Sequence, residues 1–229
     1  FNYREYGGPM LESYDLYVAK SGEEIVNEQT YHFEDNGGRM LAIRPEMTPT
    51  VARMVAAKLG SLNMLLRWFS IPNLYRYEKP QRGRLREHWQ VNVDMFGSEA
   101  IETDLELLMV ASELLKSFGA DESMFTIKIN NRRFYNDLFE TYLGLDKEGA
   151  RKVSKAIDKK HKMSDESFQE YLAELGLDEE EIRKLNSFFT LSLDEMIELC
   201  PASQGAKELK DLFALINEAG MSDFCEFDF

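Results

Sequence analysis

The chain has 229 residues, 44% apolar and 30% charged, and its 27 Lys and Arg against 41 Asp and Glu leave a net charge of −14. This length suits one large domain or a domain with an inserted lobe, and the composition is too apolar for a disordered chain. No apolar run reaches the ~18 residues of a membrane helix and Cys200 and Cys225 form no CxxC pair, which excludes secreted disulfide scaffolds and structural zinc modules.

Residues 163–229 hold 17 acidic and 4 basic residues, whereas residues 1–162 hold 24 and 23. The negative excess therefore reads as a solvated coat on the C-terminal third, and it does not exclude a nucleic-acid partner bound by a local basic surface. Residues 1–12 lack a signal-peptide pattern, and the two distant cysteines make a reducing cytoplasm the expected compartment.

Up to about residue 130, strand and helix signals alternate, punctuated by Gly7-Gly8, Gly37-Gly38 and Arg82-Gly83. Thr48-Pro49 reads as a helix start, with Thr48 as N-cap and proline in the first helical position. Val51, Met54, Val55 and Lys58 follow at helical spacing, and Gly60 closes the element. Residues 65–71 form a short apolar run, and residues 74–79 and 88–96 pattern as strands. Residues 101–118 predict an amphipathic helix ending at Gly119, and residues 124–129 alternate again as a strand.

After Asn131 the pattern is helical throughout. Phe134, Leu138, Tyr142 and Leu143 share one face, Gly144 stops it, and helices are predicted near 147–160, 165–175, 179–189, 193–199 and 204–219. A mixed sheet followed by a helical run predicts an α+β fold carrying a helical insertion lobe. The divisions expected are residues 1–130, 131–219 and a returning segment at 220–229.

The strand at 88–96 carries the most information. Strand side chains alternate between faces, so Trp89, Val91, Val93 and Met95 share one face suited to a core. His88, Gln90, Asn92 and Asp94 share the other, which suits either a pocket or the solvated side of an antiparallel sheet. Across a turn at residues 80–83, Arg76 and Glu78 of the preceding strand can lie beside this row. A guanidinium next to amides and a carboxylate suits a ligand bearing both phosphate and amine.

Between the two strands lie Lys79, Arg82, Arg84 and Arg86. A basic loop is commonly no more than solvated surface, but beside such a pocket in an acidic chain it points to polyphosphate or nucleic acid. Glu46 and Thr48 form a second polar group where a strand meets a helix, either as a helix-start acid and cap or as part of the site. His32, His88 and His161 show no metal-ligand spacing, so no metal site is expected.

The string Arg76-Tyr77-Glu78-Lys79-Pro80-Gln81-Arg82-Gly83-Arg84-Leu85-Arg86-Glu87, followed by Gln90 and Asp94, resembles motif 2 of the class II histidyl-tRNA synthetases. Phe33-Glu34-Asp35, Gly37-Gly38-Arg39 and Arg44-Pro45-Glu46-Met47-Thr48 resemble the segment before it. Residues 1–12, with Pro9, resemble the end of motif 1, and residues 127–133 resemble the strand leading into the inserted domain.

The resemblance implies a six-stranded antiparallel sheet of the class II type with flanking helices and a helical insertion. It implies ATP-dependent activation of histidine to histidyl-adenylate, then transfer to the terminal ribose of tRNA(His). Arg76 would contact the α-phosphate and act in catalysis, Glu78 would hold the adenine amino group, and Arg84 would reach the γ-phosphate. Glu46, Thr48, Gln90 and Asp94 would recognise histidine, Mg²⁺ would accompany ATP, and the full-length protein would be a homodimer. His88 stands where the family commonly has a phenylalanine stacked on adenine.

The chain stops at Phe229, where the family continues into a histidine-binding loop, motif 3 and an anticodon-binding domain. It is expected to be an internal fragment holding part of the catalytic domain, weakly active or inactive alone. The competing function is a non-catalytic paralogue serving as a regulatory subunit of ATP phosphoribosyltransferase; the Arg76, Glu78 and Arg84 trio, which only ATP chemistry requires, argues against it. A class II synthetase for proline or threonine fits less well, because Pro80-Gln81, Gly83-Arg84 and Gln90 together favour histidine.

Overall fold

The computed structural model describes residues 1–22, 25–160 and 163–229, and the chain divides into two compact units, Phe1–Glu99 and Ala100–Phe229. In the first unit lie β1 (Arg4–Glu5), β2 (Leu11–Ser13), α1 (Tyr14–Val18), β3 (His32–Glu34), β4 (Met40–Ile43) and α2 (Thr48–Lys58). There follow β5 (Leu66–Ser70), β6 (Asn73–Tyr75), β7 (Glu87–Trp89) and β8 (Asn92–Phe96).

These strands form three ladders rather than one six-stranded sheet: β2-β4-β3, β1-β5-β8 and β6-β7. The last two share one register. Leu66 pairs with Phe96 and Ser70 with Asn92 in one ladder, and Asn73 pairs with Trp89 and Tyr75 with Glu87 in the other. The Gln90 N–H to the Pro72 carbonyl and the Arg76 N–H to the Arg86 carbonyl continue the same pairing. Residues 66–76 and 86–96 are therefore one antiparallel ribbon, interrupted where Pro72 has no N–H to donate. Its apex turns at Gly83, whose φ of 83° suits glycine.

Helix α2 begins one residue earlier than the sequence pattern suggests. Met47 occupies the cap position, its carbonyl accepts from the Val51 N–H, and no side chain caps the helix, so Thr48 is a first-turn residue. Val51 and Val55 of α2 pack with Leu66, Trp68 and Phe96 of the ribbon and with Tyr6.

That packing corrects the expected core face. Leu66, Trp68 and Phe96 share their face with Asn92 and Asp94, and α2 covers that side. On the opposite face Trp89 is 72% exposed and Val91 43% exposed. The apolar residues that earn burial come from the paired strand β5, which alternation along 88–96 alone does not display.

The second unit holds α3 (Ile101–Ser117), β9 (Ile127–Ile129), α4 (Arg132–Thr141), α5 (Lys147–Lys160), α6 (Asp165–Glu174), α7 (Glu179–Phe188), α8 (Leu193–Leu199), α9 (Gln204–Glu218) and β10 (Cys225–Phe227). Its core gathers Phe134, Leu138, Phe168, Leu185, Phe188 and Leu209, all fully buried. β10 returns beside β9 in parallel register. Helix α3 packs on α9, so residues 101–130 lie in the same compact unit as the helical lobe. Ser164, Asp178, Ser192 and Ser203 cap four of its helices with their side chains, which is why these boundaries are legible in the sequence.

Candidate functional site

The junction between β4 and α2 is organised by Arg44. This residue is 8% exposed, and it donates through Nε to the Asn73 carbonyl, through Nη1 to the Gly8 carbonyl and through Nη2 to Asn73 Oδ1, each at 2.9 Å. Its own carbonyl accepts from the Tyr75 N–H at 3.1 Å. One buried guanidinium thus joins the segment after β1, the β4 end and the ribbon, each of its three nitrogens donating to a fixed acceptor.

Arg76 is brought to the same junction. Its Nε donates to the Pro45 carbonyl at 2.9 Å, and its side chain is half-buried. Neither Nη group has a protein partner among the described residues. A guanidinium pinned at one nitrogen with two more available is a prepared acceptor for phosphate oxygens. Glu46, one residue beyond Pro45, accepts a hydrogen bond from the Ser21 hydroxyl. Thr48 is exposed at the start of α2.

Towards the ribbon apex, Glu78 and Arg84 face one another, Oε2 to Nη1 at 2.7 Å. They border a cavity of about 330 Å³ shared with Glu28, Gln29, Lys79 and Gln81. Arg86 stacks on Tyr77, with Cζ 4.0 Å from the ring centre. His88 is half-buried opposite the buried Leu74. Gln90 donates through Nε2 to Asn92 Oδ1 at 2.9 Å.

Asp94 lies opposite Trp68 and accepts from the Tyr6 hydroxyl at 3.3 Å. Burial raises its carboxyl above the ordinary carboxylate range, and the Tyr6 hydrogen bond opposes that rise. Tyr6 is itself pushed up to about 12, chiefly by burial, so it remains a neutral donor at physiological pH.

The common register places Arg76, His88, Gln90 and Asp94 on one face of the ribbon, and Glu78 and Arg84 lie beyond it towards the apex. It does not set Arg76 beside Gln90. Arg76 lies opposite Arg86, and Gln90 lies opposite Pro72, about 13 Å further along the strand. Along the ribbon, Arg76 lies at the α2 junction, the Glu78 and Arg84 pair towards the apex and Asp94 at the α2-covered end, while Glu46 and Thr48 belong to the β4–α2 junction itself. The 330 Å³ cavity takes in only Glu78 and Arg84 of the eight.

The residues that hold this row were not singled out as functional from the sequence. Arg44 stands in the quoted string without a periodic signal of its own, and Tyr6 lies just before Gly7-Gly8 with nothing local to mark its partner. Among the described residues no group of three or more His, Cys, Asp or Glu is placed to hold a metal ion, and His161 lies outside the described residues. In the second unit, Arg132, Arg133, Lys147 and Arg151 line a groove of about 710 Å³ together with Asn136 and Asp137.

A family model described as histidyl-tRNA synthetase matches residues 3–229. A histidine--tRNA ligase from Leptospira biflexa is 44% identical over 100% of the chain, which covers 53% of that relative. Another from Natronomonas pharaonis is 39% identical over 98% of the chain and 52% of the relative. The chain thus spans about half the length of these relatives. Among solved structures, a histidyl-tRNA synthetase from Nostoc sp. aligns over 100% of this chain and 53% of its own, with a TM-score of 0.80 at 19% identity. An ATP phosphoribosyltransferase regulatory subunit/histidyl-tRNA synthetase from Bacillus halodurans aligns over 100% and 59%, with a TM-score of 0.79 at 23% identity. At these identities the two structures establish the fold alone.

Proposed function

The chain belongs to the histidyl-tRNA synthetase family, and we propose that it supplies the motif 2 part of the active site of a histidine--tRNA ligase. In this reading the histidine carboxylate attacks the α-phosphorus of ATP. The bond to pyrophosphate breaks, pyrophosphate leaves, and histidyl-adenylate remains. A hydroxyl of the terminal ribose of tRNA(His) then attacks the carbonyl and AMP departs.

The observation that carries the reading is Arg76, half-buried, anchored through Nε to Pro45 beside the start of α2, with two Nη groups that have no partner among the described residues. It binds the α-phosphate and stabilises the charge that builds there, without reorganising as the reaction proceeds. Arg84 takes the γ-phosphate and Glu78 the adenine amino group, so nucleotide binding replaces their mutual ion pair. His88 stacks on adenine. Glu46, Thr48, Gln90 and Asp94 receive the histidine amino group and imidazole, donors that carboxylate and amide oxygens suit.

Mg²⁺ enters with ATP, held by phosphate and water, which fits a ribbon that offers phosphates cations rather than carboxylates. The basic α4/α5 groove, set in a chain of net charge −14, supports a tRNA partner for the second unit. The homodimer and the cytoplasmic setting belong to the same reading.

The test is histidine-dependent exchange of pyrophosphate into ATP by the full-length gene product, alongside ATP and histidine binding. Exchange with histidine and with no other amino acid is the expected result. Binding of histidine without any ATP binding would instead favour the regulatory paralogue.

A further inference from the structure

Resting on the histidine-site reading above, we propose that Tyr6 is a positioning residue for that site: its hydroxyl holds the Asp94 carboxylate so that one oxygen faces the substrate's N–H donors. The two residues are 88 positions apart in the chain and meet only through the β1-β5-β8 sheet.

Tyr6 is fixed before any ligand arrives. Its N–H donates to the Phe69 carbonyl at 2.9 Å, extending the parallel ladder that pairs Arg4 with Trp68 and Glu5 with Phe69. Two residues on, the Gly8 carbonyl accepts from Arg44. A side chain on Gly8 would press on Met47 Cε at 2.9 Å and Thr50 Cγ2 at 3.0 Å, so glycine lets this segment lie against α2. The Tyr6 ring lies against Trp68, with centroids 5.6 Å apart and planes tilted by 32°. From that seat the hydroxyl reaches across β5 to Asp94 Oδ2 on β8 at 3.3 Å.

Asp94 Oδ1 has no protein donor among the described residues. A half-buried carboxylate with one oxygen satisfied and the other open has a ready use for an ammonium or imidazole N–H. Tyr6 restricts that choice geometrically, because the phenol occupies one oxygen and restrains the rotation of the carboxyl group. Arg44, which ties Gly8 to Asn73, couples this seat to the junction that carries Arg76.

The experiment compares the full-length enzyme with its Tyr6→Phe variant, which keeps the ring on Trp68 and removes only the hydroxyl. KM for histidine is expected to rise about tenfold, while kcat and KM for ATP stay within about twofold. A merely structural role would move the ATP constants and the melting temperature as well. Unchanged KM for histidine in an enzyme that does exchange pyrophosphate, or an equal rise for both substrates, overturns the role of Tyr6 alone. Absence of histidine-dependent exchange in the unmodified enzyme overturns the parent reading, and this inference with it.

Discussion

Arg76 and Pro45 are joined by a 2.9 Å hydrogen bond from Nε to the backbone carbonyl, across 31 residues of chain. The bond fixes the guanidinium at the start of α2, where Glu46 and Thr48 lie, and both Nη groups have no protein partner among the described residues. A lysine cannot reproduce that arrangement, since it has one nitrogen to serve both the carbonyl and the phosphate.

Arg76→Lys is therefore expected to lower kcat for pyrophosphate exchange by about 10²-fold or more, the scale of losing a preorganised donor at a developing charge. Circular dichroism and melting temperature are expected to stay near those of the parent protein. Near-normal kcat in this variant would remove Arg76 from the reaction.

Arg44→Met keeps an unbranched apolar stem but removes the guanidinium and its three hydrogen bonds, leaving the Gly8 and Asn73 carbonyls in a confined space without their donor. A loss of about 2–4 kcal/mol in urea unfolding is expected. A change below about 0.5 kcal/mol would show that the three acceptors find water instead.

Gly205→Ala tests the packing of the second unit. A Cβ there would lie 2.4 Å from the Phe134 backbone nitrogen and 2.9 Å from Asn131 Oδ1. That oxygen caps α4 by accepting from the Arg133 and Phe134 N–H groups. The substitution is expected to cost about 1–3 kcal/mol through overpacking and loss of the cap, visible as a lower thermal midpoint. No shift in midpoint would mean that α9 moves aside freely.

Asp94 has a pH signature of defined sign. Burial raises its carboxyl in the folded state above the unfolded value, so folding favours the protonated form. Its favourable contribution is complete below the unfolded pKa, about 3.9, and is lost as pH rises through the folded value. Asp94→Asn is accordingly expected to melt higher than the parent at pH 7, with the difference shrinking as pH falls towards 4. Melting curves that stay parallel across this range would show that the carboxylate is not penalised. Histidine binding by the same variant is expected to fall.

Ribbon pairing was open to a reader of the sequence, because alternation at 74–79 and 88–96 and a glycine turn at 83 are local properties of the chain. So were the helices of the second unit, whose Ser and Asp caps and apolar periods sit within a few residues of each other. The motif 2 string carried the family on side-chain identity alone. Local pattern misjudged what depends on a partner strand: Trp89 and Val91 alternate like core residues, yet the face that α2 covers is filled by Leu66, Trp68 and Phe96.

Thr48 illustrates the same limit at shorter range, since the cap position is set by where the Met47 carbonyl meets the Val51 N–H and not by residue preference. The sequence by itself determined which side chains exist to bind phosphate and amine, and on which face of a strand each one falls. Only the tertiary structure decided that Arg44 binds Gly8 and Asn73 together, that Arg76 leans on Pro45, and that Tyr6 reaches Asp94. Those contacts span 29 to 88 residues, and at such separations a pairing follows from how sheets and helices pack, which no local periodicity encodes.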